Sequence, residues 1–367
     1  MTDKVPIRQM PTGVPGLDAV LGGGLPEFSF NLIAGAPGSG KTTLAHQIMF
    51  TLAEPARPAL YFTVLGEPPV KMLRYQQQFT FFDASKVSES IRFINVAEEV
   101  LKGGLGQILK RIVQEVEAAS PSIVVVDSFR TAVRTAERKP AGPFEMEQFV
   151  QDLGIHLTGW QATTFLVGEY VTAENVENPI FTVADGLLWL YQSVDRNSVV
   201  RKMQVVKCRG QASIPGLHTF RITEGGIQVF PRVIVGPEEK PEPASSGGNR
   251  RPRPRVSTGI KPLDEMLGGG IPTGYSALVA GPSGSGKTIL STEFLAEGAR
   301  RGEPGILAVF EKRPREYSQI VAKGKTLGRL VAEHQITIIQ SRPLDLSIDE
   351  TLHELTTAIR RSNARRL

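Results

Sequence analysis

Two stretches of this chain carry residue types and spacings that suit phosphate chemistry. They are Gly35-Ala36-Pro37-Gly38-Ser39-Gly40-Lys41-Thr42 and Gly281-Pro282-Ser283-Gly284-Ser285-Gly286-Lys287-Thr288. Both fit the phosphate-loop pattern G-x-x-x-x-G-K-[ST]. Glycines let the backbone turn tightly, so that successive N–H groups point at phosphate oxygens. The loop opens onto a helix N-terminus, whose partial positive charge favours an anion. Lys41 is placed to reach the outer phosphates, and the Thr42 hydroxyl to ligand Mg²⁺. Lys287 and Thr288 repeat those roles. Thr43 and Ile289 follow directly and complete the two candidate phosphate-binding sets.

The flanking patterns supply the elements such a loop needs. Phe30 to Ala34 reads as a buried strand, and Thr43 to Phe50 as the helix after it. Further strands are expected at Ala59 to Val64, Ile91 to Val96, Ile123 to Asp127, Thr163 to Gly168, Gly186 to Leu190 and Val199 to Lys207. Helices are expected at Val70 to Phe79, Ile108 to Ala119 and Glu145 to Gln161. Continuous apolar strands alternating with helices imply a mostly parallel sheet covered on both faces. The later strand pairs would extend it with antiparallel strands.

The second loop repeats the first at a constant offset. Gly13 and Gly259, Asp18 and Asp264, Gly35 and Gly281, Lys41 and Lys287 are all separated by 246 positions. This is a tandem duplication of a whole domain. Residues 1–232 read as the first domain and residues 256–367 as the second. Residues 233–255 read as a linker rich in Pro, Gly and Arg. Carrying the offset forward, Asp127 maps to position 373, beyond Leu367. The second copy is therefore expected to be incomplete, short of the strand that would carry its carboxylate. The strands expected at Ser276 to Ala280 and Ile306 to Phe310 would then lack neighbours.

Bulk properties bound the remaining possibilities. The 367 residues suffice for two domains with real cores, and 41% are hydrophobic against 22% charged. One cysteine, Cys208, excludes an intramolecular disulfide and suits a reducing cytoplasm. No apolar run approaches membrane-spanning length. The net charge of +5 permits anionic partners, nucleic acid included, but does not favour them over nucleotide alone. The five histidines form no spaced cluster with cysteine, so no zinc site is expected. Cys208, between Lys207 and Arg209, is either a thiol with a lowered pKa or a small packing residue.

Several of these residues together resemble the KaiC family of RecA-type ATPases. The resemblance rests on Gly13 to Asp18 followed by Leu21-Gly22-Gly23-Gly24-Leu25-Pro26, and on the phosphate loop itself. It also rests on Asp127-Ser128, Lys207-Cys208-Arg209-Gly210 and the closing stretch Phe220 to Pro231. It covers almost the whole chain. The resemblance implies a RecA-like fold and a homohexameric ring with ATP and Mg²⁺ between neighbouring protomers. It makes Asp127 act on the magnesium, and Lys207 and Arg209 reach the neighbour's ATP, with Cys208 between them. It places Thr223 and Glu224 against the nucleoside. It further implies a ring-shaped regulator or timer with regulatory protein partners.

The chain also departs from the family pattern. The family carries two adjacent glutamates after the second strand, the first of which prepares the attacking water. The second domain keeps one, Glu311. In the first domain Leu65 and Gly66 stand there, with Glu67 the nearest carboxylate. Without a well-placed base, ATP binds while turnover is slow. A slow ATPase is the leading reading. A RadA-like DNA-handling protein, a Ser/Thr autokinase and a nucleotide-gated scaffold without turnover stay open beside it.

Overall fold

The computed structural model describes residues 7–63, 69–127, 143–170, 179–195, 198–233, 253–310, 325–340 and 347–367. Glu67 and Glu311 lie outside the described residues. Contacts divide the chain into two units, Met1–Val233 and Ile234–Leu367.

In the first unit a two-stranded ribbon of β1 (Gln9–Met10) and β2 (Leu25–Pro26) brackets the short helix α1 (Leu17–Leu21). The main strands are β3 (Phe30–Gly35), β4 (Ala59–Thr63), β5 (Ile91–Asn95), β6 (Ile123–Asp127), β7 (Thr163–Glu169), β8 (Gly186–Asp195), β9 (Ser198–Cys208), β10 (His218–Thr223) and β11 (Gly226–Phe230). They form one sheet in the order β11-β10-β9-β8-β3-β7-β6-β4-β5. The strands from β8 to β5 run parallel, and β9, β10 and β11 extend the sheet in antiparallel fashion. The expected mixed sheet is present, with β4 separated from β3 by two strands that come later in the chain.

The helices are α2 (Lys41–Leu52), α3 (Pro69–Gln76), the single irregular turn α4 (Lys86–Glu89), α5 (Ala97–Ala119), α6 (Pro143–Gly159) and α7 (Pro179–Val183). Strand alternation feeds two apolar cores. Leu32, Leu60, Phe62, Val124, Val126 and Leu166 face one, beneath α5 and α6. Ile33, Tyr61, Val125, Phe165 and Leu188 face the other, with Leu44, Ile48 and Met49 of α2. Successive strand residues point to opposite faces, which is why each strand contributes to both.

Two helix boundaries differ from expectation. Helix α3 stops at Gln76, because Phe79 N–H bonds the Gln76 carbonyl and the chain turns. Helix α5 begins eleven residues before the expected Ile108. Its start is set by the Asn95 side chain accepting from Ala97 N–H at 2.9 Å, with Glu98 and Glu99 in the first turn. Glycines 103, 104 and 106 mask that stretch in the sequence.

The second unit holds β12 (Arg255–Val256) paired with β13 (Ile271–Pro272), and β14 (Gly305–Val309) paired in parallel with β15 (Ile336–Gln340). Its helices are α8 (Lys261–Met266), α9 (Lys287–Arg300), α10 (Lys325–Ala332) and α11 (Ile348–Ser362). Ser347 caps α11 by accepting from Glu350 N–H, the S-x-x-E start signature. A small core joins Leu295, Ala296, Ala299, Leu327, Leu330 and Ile336.

Residues 276–280 form no strand, and Leu278 is 94% exposed. Among the described residues nothing pairs with this segment, and a strand needs partners for its backbone groups. The repeat register also shifts. Ala59 pairs with Ile123 in the first unit, whereas Gly305 bridges Arg366 in the second. The constant offset would have placed position 369 there.

Candidate nucleotide site

The first phosphate loop joins β3 to α2 at the centre of the large sheet. At Gly40 the backbone adopts φ 101°, and an added Cβ would meet Ile222 at 2.8 Å. At Gly38, with φ 76°, the nearest atom to an added Cβ lies 3.9 Å away, so the space over the loop is open. Ser39 is buried beneath it. The Lys41 ammonium folds back on its own loop and donates to the Ala36 carbonyl at 2.8 Å.

Strand β6 ends in Asp127 beside this loop. The Thr42 hydroxyl donates to Asp127 Oδ2 at 2.7 Å. The Tyr61 hydroxyl, from β4, donates to the same oxygen at 2.7 Å. Strand β7 ends in Glu169, directly opposite Gly35 in register. A cleft of about 420 Å³ opens over these groups. Pro37, Gly38, Gly40, Lys41, Thr42 and Thr43 form its floor. Asp127, Glu169, Tyr61 and Thr63 line one wall, and Met72, Tyr75, Gln76 and Ile222 close it.

Charge in the cleft is balanced by opposites. Burial pushes the Asp127 carboxyl above its ordinary range. The Tyr61 and Thr42 hydroxyls and the Lys41 charge pull it back, and Glu169 adds to the rise. Burial lowers the Lys41 ammonium, while Glu169 and Asp127 hold it up. The Tyr61 phenol is raised well above its ordinary value by burial and by the Asp127 charge. A hydroxyl and a carboxylate side by side suit a hard divalent cation, and the open loop with its lysine suits phosphates. The residues present therefore fit a magnesium nucleotide.

The other candidate residues fall in three places. Thr223 ends β10, next to the cleft-lining Ile222, and its hydroxyl accepts from Gly225 N–H at 3.2 Å. Glu224 follows in the hairpin, where its carbonyl accepts from Thr80 N–H at 2.8 Å. Lys207, Cys208 and Arg209 lie at the end of the strands opposite the phosphate loop. Register carries Gly35 to Leu190 and Met203, but Asn31 to Gly186 and Cys208. Lys207 donates to the Phe181 and Thr182 carbonyls, and Arg209 pairs with Asp185 at 3.1 Å. These basic groups do not reach the cleft of their own protomer. Burial raises the Cys208 thiol, the opposite of the lowered pKa that was one alternative for it.

Gly281, Gly284, Ser285, Gly286, Lys287, Thr288 and Ile289 form the second loop. Lys287 donates to the Gly281 and Pro282 carbonyls at 2.7 Å, and Ile289 is 69% exposed. Among the described residues no carboxylate pairs with Thr288.

Tyr61, Glu169, Met72, Tyr75 and Gln76 escaped the sequence reading. Glu169 had a usable signal, since like Asp127 it ends a buried apolar strand. Tyr61 had none, because a tyrosine inside a buried strand reads as core.

A family model described as "ATPase: KaiC" matches residues 10–234 and 256–367. The chain belongs to the KaiC ATPase family. Its large sheet, parallel at the phosphate loop and flanked by helices, is the RecA-like arrangement that the resemblance implied. Curated relatives agree. The circadian clock oscillator protein KaiC of Picosynechococcus sp. is 27% identical over 96% of this chain and 68% of its own length. That of Rippkaea orientalis is 28% identical over 85% of this chain and 59% of its own. The KaiC 1 protein of Synechocystis sp. is 27% identical over 85% and 60%. The chain thus spans about 60 to 68% of the length of these KaiC relatives. No described helix is long and apolar enough to cross a membrane.

Proposed function

We propose that the first unit binds ATP with magnesium and hydrolyses it slowly. The observation that carries this reading is the convergence of Lys41, Thr42 and Asp127 in one cleft above the glycine loop. Lys41 exchanges its Ala36 carbonyl for phosphate oxygens, and the loop N–H groups hold the rest of the chain of phosphates. Thr42 and Asp127 would hold the cation, which when bound neutralises phosphate charge and orients the outer oxygens. By family analogy Thr223 and Glu224, which follow the cleft-lining Ile222, would contact the nucleoside. Glu67 is the candidate base in the first domain and Glu311 in the second. With Leu65 and Gly66 where the family carries its glutamates, turnover is slow.

The functional assembly is a homo-oligomeric ring, a hexamer by family analogy, with ATP at subunit interfaces. The placement of Lys207 and Arg209 at the strand ends opposite the phosphate loop supports it, since there they lie away from the cleft of their own chain. By analogy with relatives named as clock oscillator proteins, the ring acts as a regulator in the cytoplasm, with protein partners rather than nucleic acid.

A mixing experiment tests both parts. Arg209→Ala and Lys41→Ala each lower steady-state ATPase turnover. Mixed, they recover part of it, because a hybrid interface pairs an intact loop with an intact arginine. Mass measurement with and without Mg-ATP follows assembly. No recovery despite subunit exchange would overturn the assignment in trans.

A further inference from the structure

Tyr61 sits inside β4, where a phenylalanine would fill the same space. Its hydroxyl nevertheless meets the one carboxylate that ends β6. Register explains the reach: Thr63 stands opposite Asp127, and Tyr61, two residues earlier, points to the same face of the sheet. The ring cannot swing away. His46 of α2 lies against it at 4.6 Å between centroids and Phe93 of β5 at 5.3 Å, and the side chain is fully buried. Thr42 approaches the same carboxylate oxygen from α2. Two hydroxyls on one oxygen fix the rotation of the Asp127 carboxyl group. One donor comes from a helix that begins at the phosphate loop. The other comes from a strand locked in the core.

A buried phenol costs stability unless it is hydrogen-bonded, and here its partner is the candidate cation-holding carboxylate. Partners of this kind, one shell behind a ligand, hold its orientation and govern how well it binds a cation. We infer that Tyr61 is a positioning residue for the divalent-cation site of the first unit, holding Asp127 in the orientation that the cation needs. The inference rests on the reading of the cleft as a magnesium-nucleotide site.

The test uses the full chain and Tyr61→Phe, which keeps the ring and removes only the hydroxyl. A fluorescent ATP analogue is titrated first in EDTA and then at saturating protein over a range of MgCl₂. Manganese binding to the nucleotide complex is followed in parallel by electron paramagnetic resonance. In EDTA the variant binds the analogue within about twofold of the parent, which also reports that it is folded. The magnesium concentration for half-maximal effect rises about tenfold, and the manganese affinity falls by a similar factor. A purely structural role would weaken binding equally with and without magnesium, and that result overturns the inference. So does an unchanged magnesium half-point. Failure of the underlying reading looks different: the parent chain itself would then show no magnesium dependence at all.

Discussion

The two phosphate loops share their local geometry and differ in almost everything around it. Gly38 and Gly284 have φ near 76° and 83°, and Gly40 and Gly286 near 101° and 92°. Ser39 N–H bonds the Ala36 carbonyl at 3.2 Å, and Ser285 N–H bonds the Pro282 carbonyl at 3.3 Å. Both lysines fold back on loop carbonyls. Yet Ser39 and Lys41 are buried, while the segment before the second loop is exposed and Leu278 lies 94% open. In the first unit β3 is gripped by β7 and β8, and β6 brings Asp127 to Thr42. The glycine and lysine pattern makes a loop. The neighbouring strands make it a site.

The largest expected effect separates the loops by one lysine each. Lys41→Ala removes the cation that Asp127 and Glu169 hold in the cleft, and should weaken binding of a fluorescent ATP analogue about 100-fold or more. Lys287→Ala should change the affinity of that same site by less than about twofold. Equal losses from the two variants would erase the distinction. Retained affinity in the double variant would sink the phosphate-loop reading altogether.

The legible part of the molecule follows the same division. Whatever depends on a few neighbouring residues could be read: both loops, the strand before the first, and Asp127 at the end of β6. The mostly parallel character of the sheet was legible too, because continuous apolar strands alternate with helices. What depends on distant partners was not. Nothing in Ala59 to Thr63 says that the phenol of Tyr61 meets a carboxylate from β6. Nothing near Lys207 says that its end of the strand lies opposite the loop. Ser276 to Ala280 was expected to lack neighbours, and among the described residues it forms no strand, whereas the pairing of β14 with β15 was not foreseen.

A smaller effect tests how deeply the first loop helix is buried. His46 of α2 is fully buried against Tyr61, and neither ring nitrogen completes a hydrogen bond, although Gln76 lies beside it. Burial lowers its pKa to about 4, with Gln76 pulling weakly the other way. Thr292 occupies the matching position in the second unit and bonds the Thr288 carbonyl at 2.7 Å. Below about pH 6.5 the unfolded chain protonates this imidazole and the folded chain does not. Stability is therefore intact above that value and falls as acidity increases, until protonation of the folded form near pH 4 ends the loss. The full effect is roughly 3 kcal/mol. His46→Phe should flatten the slope of urea stability across that window for the first unit. An unchanged slope would show that the imidazole finds water or a proton partner in the fold.

The smallest effect compares the segments that lead into the two loops. Thr12 donates both its N–H and its hydroxyl to Asp18 Oδ1, at 2.8 and 2.6 Å. Thr258 does the same to Asp264 Oδ1, at 2.8 and 2.7 Å. The threonine bonds are copies, and Asp264 accepts one more from the Ser257 hydroxyl, where Pro11 stands in the first unit. What differs more is the helix each one tethers. In α1, Leu17, Val20 and Leu21 are completely buried, and any tilt opens the core beneath α2. Met266 at the end of α8 is 84% exposed and Leu267, just after it, 41%, so a tilt disturbs little packing. Asp18→Ala should therefore cost about 2 kcal/mol and Asp264→Ala about 1 kcal/mol, since the first adds lost packing to the unpaired Thr12 groups. Hydrogen exchange at the amides of α1 and α8 in the full chain measures each locally. Equal losses at the two sites would mean that the hydrogen bonds alone hold these segments, and that the surrounding core adds nothing to the first loop's setting.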